Sequence, residues 1–380
     1  MGASSTKMRV LILALGTRGD FELFVVLARA LAARGHHVTL ASSGFYERAA
    51  RAAALEFLAL GQGTHGQLLA VLRAMNGTAD RIERTRMFAT RWLQPQLAQA
   101  REMLSAAGAG SDYFVSNLKL VLQQGGEVLP GAFVTYDPPA AVEELARYGS
   151  RRHGGRILEL VALPRRLADP DGSWGEEFHF TGFWHAATPP KTPEPGLAQF
   201  VAAGPPPIVL TLGSMLSADV EALLGRFAEA LAASGQRGVV VAGWSRPILV
   251  PPHLCLVQEA DYDWLFARAA CVVHHGGVGT LAAVLRAGKP SILLPQIYAQ
   301  ALFARWLERE GLTAGVFEAA DLTPRDLASA MRRAVEDQAL LRRAAAWSDG
   351  LRGERGADLA AELIEQHWQH PGHDGGTVRP

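Results

Sequence analysis

Residues 269–285 carry the clearest structural signal in this sequence and read Ala-Ala-Cys-Val-Val-His-His-Gly-Gly-Val-Gly-Thr-Leu-Ala-Ala-Val-Leu. Its apolar first part is typical of a buried parallel strand. Its glycines permit a tight turn and a close approach of the backbone to a ligand, and the residues after Thr280 open a helix. This order predicts a phosphate site, because a helix N-terminus presents free N–H groups and a partial positive charge.

The polar side chains of this stretch support the same interpretation. His275 can donate a hydrogen bond to a phosphate oxygen, and Thr280 can add a hydroxyl. The alternative is a glycine turn beside a core histidine. The paired histidines, with the strand and the helix in register, favour anion binding.

Strands and helices alternate on both sides of this stretch. In the second half we expect strands at 207–212, 239–242, 254–258, 271–274 and 291–294, and helices at 218–233, 279–287, 301–309, 324–336, 338–350 and 356–369. In the first half we expect strands at 8–15, 37–42, 56–60, 112–116, 132–135 and 157–162, and helices at 21–33 and within 67–107. The pattern predicts an α/β fold with two Rossmann-like domains, whose parallel sheets face each other across a cleft.

The chain has 380 residues, which suggests two domains. Prolines are concentrated in the stretch 188–207, so we place a linker at 188–206, between a first domain at 1–187 and a second domain at 207–355. A C-terminal helix over 356–370 could pack back on the first domain. We expect a disordered tail at 371–380.

Composition narrows the class of protein. Hydrophobic residues make up 49%, and Lys+Arg and Asp+Glu both number 37, so nothing in the charge favours nucleic acid as a partner. Cys255 and Cys271 lie in apolar runs and read as core thiols. No apolar run approaches a membrane span, so we expect a cytoplasmic protein whose contact with a membrane surface is at most peripheral.

Five segments together resemble the inverting nucleotide-sugar glycosyltransferases, in particular bacterial antibiotic (natural-product) glycosyltransferases and sterol glucosyltransferases. They are His-His-Gly-Gly-Val-Gly-Thr at 274–280, Ala-Gly-Lys-Pro-Ser-Ile-Leu-Leu-Pro-Gln at 287–296, Gln300, Gly-Thr-Arg-Gly-Asp at 16–20 and Thr-Gly-Phe-Trp at 181–184. The resemblance implies the GT-B fold and a nucleotide-diphosphate sugar as co-substrate, with no other cofactor. It also implies that the domain at 1–187 binds the acceptor and that the domain at 207–355 binds the donor.

The resemblance also implies roles for single residues in donor binding. They are Thr17, Arg18, Ser214, Trp244, His275, Gly276, Gly277, Gly279, Thr280 and Gln300. Most of these would hold the diphosphate, Thr17 and Arg18 from the first domain. Trp244 would lie near the nucleotide, and Gln300 would contact the donor sugar.

The chain departs from the family pattern at three points. Ala299 stands where the family places an acidic residue that accepts hydrogen bonds from sugar hydroxyls. The donor sugar is therefore deoxygenated or bound in a different way, or the site is inactive. Asp261-Tyr262 replaces Pro-Gln, and Tyr262 could stack near the base. Leu23 replaces a proline after the first loop.

An inverting transfer needs a base that deprotonates the acceptor. The resemblance makes Asp20 the first candidate, and an ordinary helix N-cap is its alternative role. His65, in a glycine-bracketed loop, is the second candidate, because histidine titrates near neutrality.

Two Asp-x-Asp matches, Asp261-Tyr262-Asp263 and Asp169-Pro170-Asp171, show how common that metal-binding pattern is. A helix dipole, His275 and Arg18 can offset phosphate charge, so we expect no metal requirement.

The sequence therefore predicts an inverting, metal-independent glycosyltransferase. It would move a sugar, deoxygenated or not, from a UDP- or dTDP-sugar to a hydroxyl of a small hydrophobic natural product. The alternatives are an inactive nucleotide-binding auxiliary protein and a nucleotide-sugar epimerase or hydrolase of the same fold. A dinucleotide-dependent oxidoreductase is disfavoured, because the first loop lacks the full Gly-x-Gly-x-x-Gly.

Overall fold

The computed structural model describes residues 7–60, 63–76, 78, 80–96, 98, 102, 110–117, 123–124, 127–128, 130–136, 157–169, 171–185, 192–213, 220–242 and 250–370. These residues form two compact units. The first draws on 1–71, 87–186 and 354–380, and the second on 72–86 and 187–353. A short segment from the first half of the chain therefore belongs to the second unit.

The strands of the first unit are β1 (Arg9–Leu13), β2 (His37–Ser43), β3 (Glu56–Leu60), β4 (Tyr113–Ser116), β5 (Gln123–Gln124), β6 (Glu127–Val128), β7 (Gly131–Thr135), β8 (Ile157–Val161) and β9 (Phe178–Phe180). Seven of them form one parallel sheet in the order β3-β2-β1-β4-β7-β8-β9, and β5 and β6 form an antiparallel pair. The strand order reverses direction between β1 and β4. In open α/β sheets this is where ligands bind, outside the carboxyl ends of the strands.

The second unit contains β10 (Ile208–Thr211), β11 (Gly238–Val241), β12 (Leu254–Val257), β13 (Cys271–His274), β14 (Ser291–Leu293) and β15 (Thr313–Val316). They form a parallel sheet in the order β12-β11-β10-β13-β14-β15. Its reversal point lies between β10 and β13. The glycine turn that follows β13 therefore starts where such a sheet binds its ligand.

The α-helices are α1 (Arg18–Ala33), α2 (Glu47–Ala52), α3 (His65–Asn76), α4 (Arg81–Phe88), α5 (Arg165–Ala168), α6 (Pro195–Ala202), α7 (Val220–Ser234), α8 (Tyr262–Ala267), α9 (Val278–Arg286), α10 (Tyr298–Arg309), α11 (Pro324–Glu336), α12 (Gln338–Leu351) and α13 (Gly356–Gln369). A π-helical turn, Ala89–Leu93, follows α4. Among the described residues, none of the helices combines the length and the apolar character that crossing a membrane requires.

The C-terminal helix α13 packs on the first unit. Its alanines and Ile364 share one apolar core with the buried face of α1, including Phe24 and Leu31. Full burial of a large apolar side chain stabilises the fold by roughly 1.5–3 kcal/mol. Polar contacts add to this packing: Glu365 accepts hydrogen bonds from Arg34, and His367 bonds the buried hydroxyl of Tyr113 at 2.7 Å.

Some helices and strands have the bounds expected from the sequence, and others were not expected. The bounds of β3, β13, α11 and α13 agree with the expected ones. The strands β5, β6, β9 and β15 and the short helices α2, α5, α6 and α8 were not predicted. Helix α6 lies inside the proline-rich stretch taken as a linker, and Pro195 fits there because it occupies the first helical turn, where a missing N–H costs nothing. The predicted tail, 371–380, lies outside the described residues.

Candidate functional site

The turn between β13 and α9 leaves a helix N-terminus open. Gly276 has φ +86°, a conformation that glycine adopts readily, and a methyl group on it would stand 3.4 Å from the carbonyl oxygen of Gln300. Gly277 is the N-cap of α9, and no side chain of the described residues caps the helix there. The N–H groups of the first turn are thus available to an anion.

The first of the two histidines, His274, shapes this turn. It is fully buried, its Nδ1 accepts the N–H of Gly276 at 3.2 Å, and its Nε2 donates to Oγ of Ser291 at 3.1 Å. Burial lowers the pKa of His274 to about 3. Both ring nitrogens are therefore engaged within the protein, and His274 has a structural role.

The second histidine, His275, has an unsatisfied ring nitrogen. Its side chain is only 6% exposed, and its buried Nδ1 has no hydrogen-bond partner among the described residues. Burial lowers the pKa of His275 to about 4, so the ring is neutral at pH 7. An unsatisfied buried polar atom costs about 1–3 kcal/mol, so a ligand that bonds this nitrogen would recover that energy. The structure thus leaves His275, and not His274, available for a phosphate oxygen.

Two glycines fix the His275 ring. A methyl group on Gly277 would stand 2.3 Å from Nε2, and one on Gly213 would stand 2.9 Å from Cε1. Gly213 also has φ +59°. The sequence analysis did not select Gly213, although a glycine directly after a predicted strand was the available signal. It did predict Gly277, as a source of a backbone amide.

Tyr262 lies beside the end of β10. Its hydroxyl shares a 2.7 Å hydrogen bond with Oγ1 of Thr211, and its ring stacks on Phe266 with centroids 4.5 Å apart. Its predicted stacking near the base stays a prediction. Ser214 and Trp244 lie outside the described residues.

Gln300 caps its own helix, α10. Its Oε1 accepts the backbone N–H groups of Gln296 and Ile297, at 2.8 and 3.3 Å. These two bonds fix the orientation of the carboxamide, so the amide NH₂ group is the part left to reach a sugar. Thr280, in the first turn of α9, is buried, whereas Gly279 beside it is exposed, with nothing within 4 Å of an added methyl group.

In the first unit, Asp20 is held by the loop after β1. It is the third residue of α1, so its alternative role as N-cap is wrong: Thr17 occupies that position, and Oδ2 of Asp20 accepts the N–H of Thr17 at 2.6 Å and its hydroxyl at 3.0 Å. Gly16 has φ +144°, and a methyl group on it would stand 2.3 Å from Oδ2. Only glycine at position 16 leaves room for this carboxylate.

A hydrogen-bonded chain continues from Asp20 to residues that the sequence analysis did not select. The Tyr136 hydroxyl donates to Oδ1 of Asp20 and accepts a hydrogen bond from Nδ2 of Asn117 at 2.8 Å. Nδ2 also donates to the carbonyl oxygen of Leu15 at 2.8 Å. Burial raises the pKa of Asp20, and the bonds from Tyr136 and Thr17 oppose that rise. Asn117 and Tyr136 each follow a predicted strand, which was the available signal.

The other predicted residues of the first unit lie at the surface. Arg18 is exposed and pairs with Glu22 at 3.3 Å. His65 is the exposed first residue of α3, so its predicted loop position is wrong, because Thr64 and Gln67 cap a helix there. The His65 ring lies 5.4 Å from the ring of Phe45, at the edge of an aromatic cluster.

The acidic pairs are engaged with protein groups. Asp261 caps α8 by accepting the N–H of Trp264 at 2.9 Å, and Asp263 pairs with Arg286 at 2.6 Å. Asp169 accepts hydrogen bonds from Arg165 and from the backbone of the following loop. In the part of the chain that the structure describes, no three acidic, histidine or cysteine side chains form a group that could hold a metal ion.

Comparison with known proteins supports the resemblance from both ends of the chain. Residues 10–102 match the glycosyltransferase family 28 N-terminal domain, and residues 243–364 match the C-terminal domain of the erythromycin biosynthesis protein CIII-like family. The O-mycaminosyltylonolide 6-deoxyallosyltransferase of Streptomyces fradiae is 30% identical over 94% of this chain and 97% of its own length. A sterol 3-beta-glucosyltransferase of Cryptococcus neoformans is 26% identical over 94% of this chain and 27% of its own length.

The fold has a solved counterpart in the calicheamicin glycosyltransferase, with a TM-score of 0.73 and 18% identity over 97% of this chain and 100% of that one. The predicted fold class, family and enzyme class are therefore confirmed. The chain belongs to the glycosyltransferases of the GT-B fold, and the protein is a glycosyltransferase.

Proposed function

We propose that the enzyme transfers a sugar from a UDP- or dTDP-sugar to a hydroxyl of a small natural product, with inversion at the anomeric carbon and without a metal ion. The observation that carries the proposal is the buried Nδ1 of His275, which has no hydrogen-bond partner among the described residues. It lies beside the N-terminus of α9, which no described side chain caps. A neutral imidazole donor and a helix N-terminus suit a diphosphate. Thr280 and the amides of Gly277 and Gly279 complete this phosphate site, whereas the N–H of Gly276, also expected there, already donates to Nδ1 of His274.

In the proposed reaction the acceptor hydroxyl attacks the anomeric carbon as the bond to the phosphate oxygen breaks. The electron pair of that bond stays on the nucleoside diphosphate. The amides of α9 and the N–H of His275 stabilise the charge that develops there, which is the principal way in which fixed donors accelerate such a step. Because these donors and the N-terminus of α9 would offset the charge of the diphosphate, the proposed reaction requires no metal ion.

Asp20 takes the proton of the acceptor hydroxyl. Its Oδ1 already accepts one hydrogen bond, from Tyr136, and retains a second lone pair. Burial raises its pKa, which makes the carboxylate a stronger base. His65 is the second candidate, and its exposed position at the start of α3 gives it no comparable support.

The names of two relatives support the proposed acceptor class. One is named for the transfer of 6-deoxyallose to O-mycaminosyltylonolide, and another for the glucosylation of a sterol. A 6-deoxy donor sugar also agrees with Ala299, whose methyl group accepts no hydrogen bond from a sugar hydroxyl.

The test is a transfer assay in the presence and absence of EDTA. Donors are UDP-glucose, dTDP-glucose and dTDP-6-deoxyglucose; acceptors are O-mycaminosyltylonolide, ergosterol and a water-only control. We expect a conjugate by mass spectrometry, an inverted anomer by NMR, and no loss of rate with EDTA. Asp20→Asn should abolish transfer while nucleoside diphosphate binding persists.

Three results would contradict the proposal in different ways. Free sugar without conjugate would indicate a hydrolase, an epimerised nucleotide sugar would indicate an epimerase, and tight donor binding without turnover would indicate an auxiliary protein. Loss of transfer in EDTA, restored by a divalent cation, would overturn the metal-independent mechanism alone.

A further inference from the structure

Gln296 carries an unused buried carboxamide. The residue lies in the loop between β14 and α10 and is only 5% exposed. Neither Oε1 nor Nε2 of its side chain has a hydrogen-bond partner among the described residues. Buried side-chain polar atoms nearly always have partners in native proteins. A carboxamide with both ends unsatisfied therefore indicates a ligand that both donates and accepts hydrogen bonds.

The backbone of Gln296 is fixed on both sides. Its N–H donates to Oε1 of Gln300 at 2.8 Å, and its carbonyl oxygen accepts from Nη1 of Arg84 at 2.9 Å. With the backbone committed, the side chain is the part of Gln296 that remains available.

Arg84 lies in α4. Residues 72–86, which include most of this helix, come from the first half of the chain but belong to the second unit. The helix is attached there by the ion pair of Arg81 with Glu318, and Arg84 also donates to the carbonyl oxygen of Thr78 at 2.5 Å. Arg84 is thus a positioning residue that holds the loop of Gln296 in place.

This loop is continuous with the proposed phosphate site. Gln300, which accepts the N–H of Gln296, lies against the glycine turn: a methyl group on Gly276 would stand 3.6 Å from its Cβ. In a nucleotide sugar the sugar is bonded directly to the terminal phosphate. If the glycine turn binds the diphosphate, the loop that contains Gln296 lies next to the position of that sugar.

We propose that Gln296 is a specificity-determining residue that hydrogen-bonds a hydroxyl group of the donor sugar. This inference rests on the proposed function. A carboxamide can donate to and accept from one hydroxyl at once, whereas it offers no charge to an anionic or cationic substituent. Gln296 would thereby accept the hydrogen bond from a sugar hydroxyl that the methyl group of Ala299 cannot accept.

The experiment compares Gln296→Leu with the matched control Gln338→Leu, which changes an exposed glutamine at the start of α12. Dissociation constants are measured by calorimetry for free UDP and dTDP, for UDP-glucose and dTDP-glucose, and for their 2-, 3-, 4- and 6-deoxy analogues. In Gln296→Leu we expect binding of the free diphosphates to stay within about twofold, and that of the full sugar nucleotide to weaken about tenfold, as loss of one good hydrogen bond does. With the analogue that lacks the contacted hydroxyl, wild type and variant should bind alike.

The thermal stability of ligand-free Gln296→Leu separates this role from a structural one. Replacing an unsatisfied buried carboxamide by an apolar group should leave the melting temperature unchanged or higher. A lower melting temperature with equal weakening of diphosphate and sugar nucleotide would show a structural residue and overturn the inference. Equal binding of every sugar nucleotide by wild type and variant, with diphosphate binding intact, would overturn it and leave the proposed function standing. Failure of wild type to bind any nucleoside diphosphate would overturn both.

Discussion

A methyl group placed on Gly277 would stand 2.3 Å from Nε2 of His275, so the imidazole ring rests directly against the backbone of the helix that it adjoins. Gly213 approaches the same ring from the end of β10. The ring therefore fits only because both positions are glycine. Its buried Nδ1 has no hydrogen-bond partner among the described residues.

Gly277→Ala should displace His275. The new methyl group cannot fit beside the ring, and overpacking of this kind destabilises a fold by roughly 1–3 kcal/mol. We expect the affinity for a nucleoside diphosphate to fall at least about tenfold, measured by calorimetry, together with a lower midpoint of urea unfolding.

The matched control is Gly279→Ala, where an added methyl group meets nothing within 4 Å. Since Gly279 lies inside α9, alanine should raise the free energy of unfolding of the ligand-free protein by about 0.5–1 kcal/mol. If both variants lost stability alike, the contact between Gly277 and His275 would not be the reason.

The stability of the protein should fall in mild acid because of His275. Its pKa is about 4 in the folded protein and near 6.5 in an unfolded chain, so the unfolded state binds the extra proton between those values. This contribution to stability is complete above about pH 6.5 and is lost as the pH falls toward 4. His275→Gln should reduce the slope of unfolding free energy between pH 4.5 and 6 by up to about 1.4 kcal/mol per pH unit.

The slope is measured by urea unfolding at half-unit pH steps. His274, whose pKa of about 3 has the same sign of effect, keeps part of the acid sensitivity in the variant. Parallel curves for wild type and His275→Gln would mean that His275 is not held neutral by burial.

Tyr136→Phe should shift the acid limb of the pH–rate profile to higher pH. The hydroxyl of Tyr136 donates to Asp20 and so lowers its pKa, against the rise that burial causes. Without that donor the carboxylate becomes protonated at a higher pH, so kcat/KM at low pH should fall while the plateau at higher pH persists. An acid limb at the wild-type position would exclude Asp20 as the titrating base.

Gly16→Ala should abolish transfer by moving Asp20. The methyl group would stand 2.3 Å from Oδ2, and φ +144° is strained for any residue with a Cβ, at a typical cost of about 1–3 kcal/mol. Gly19→Ala is the control, because its methyl group would make only an ordinary 3.8 Å contact with Oγ1 of Thr17. We expect kcat within a few fold of wild type for Gly19→Ala and at the detection limit for Gly16→Ala; equal rates would contradict the proposed role of Asp20.

Local signals made part of this structure predictable. The N-cap of helix α11 is Thr323, whose side chain accepts the N–H of Asp326, and β13 belongs to an apolar run shortly before the glycines at 276–277. Both could therefore be located from neighbouring residues. The short helix α8 carries its capping Asp261 but spans only six residues, too few for a clear helical period.

The glycine turn between β13 and α9 was predictable for the same reason, since its residues are consecutive in sequence; its binding of phosphate stays a prediction. Gly213, Asn117 and Tyr136 were not selected, because they reach their partners only when the sheet order places the ends of distant strands side by side. Gln296 ends one of the segments that resemble the family, but no role was predicted for its side chain, because an unsatisfied carboxamide is recognisable only from the burial of its surroundings.

The most direct test of the phosphate site is a thermal-shift measurement of the wild-type protein and His275→Ala with UDP, dTDP, GDP, NAD and NADP. A ligand at about 100 times its dissociation constant stabilises the folded state by roughly 2.7 kcal/mol. We predict that UDP or dTDP raises the melting temperature of the wild type and that His275→Ala loses this response while remaining folded. A response only to NAD or NADP, or an equal response of both proteins to the diphosphates, would contradict the assignment of residues 274–280 as the donor-phosphate site.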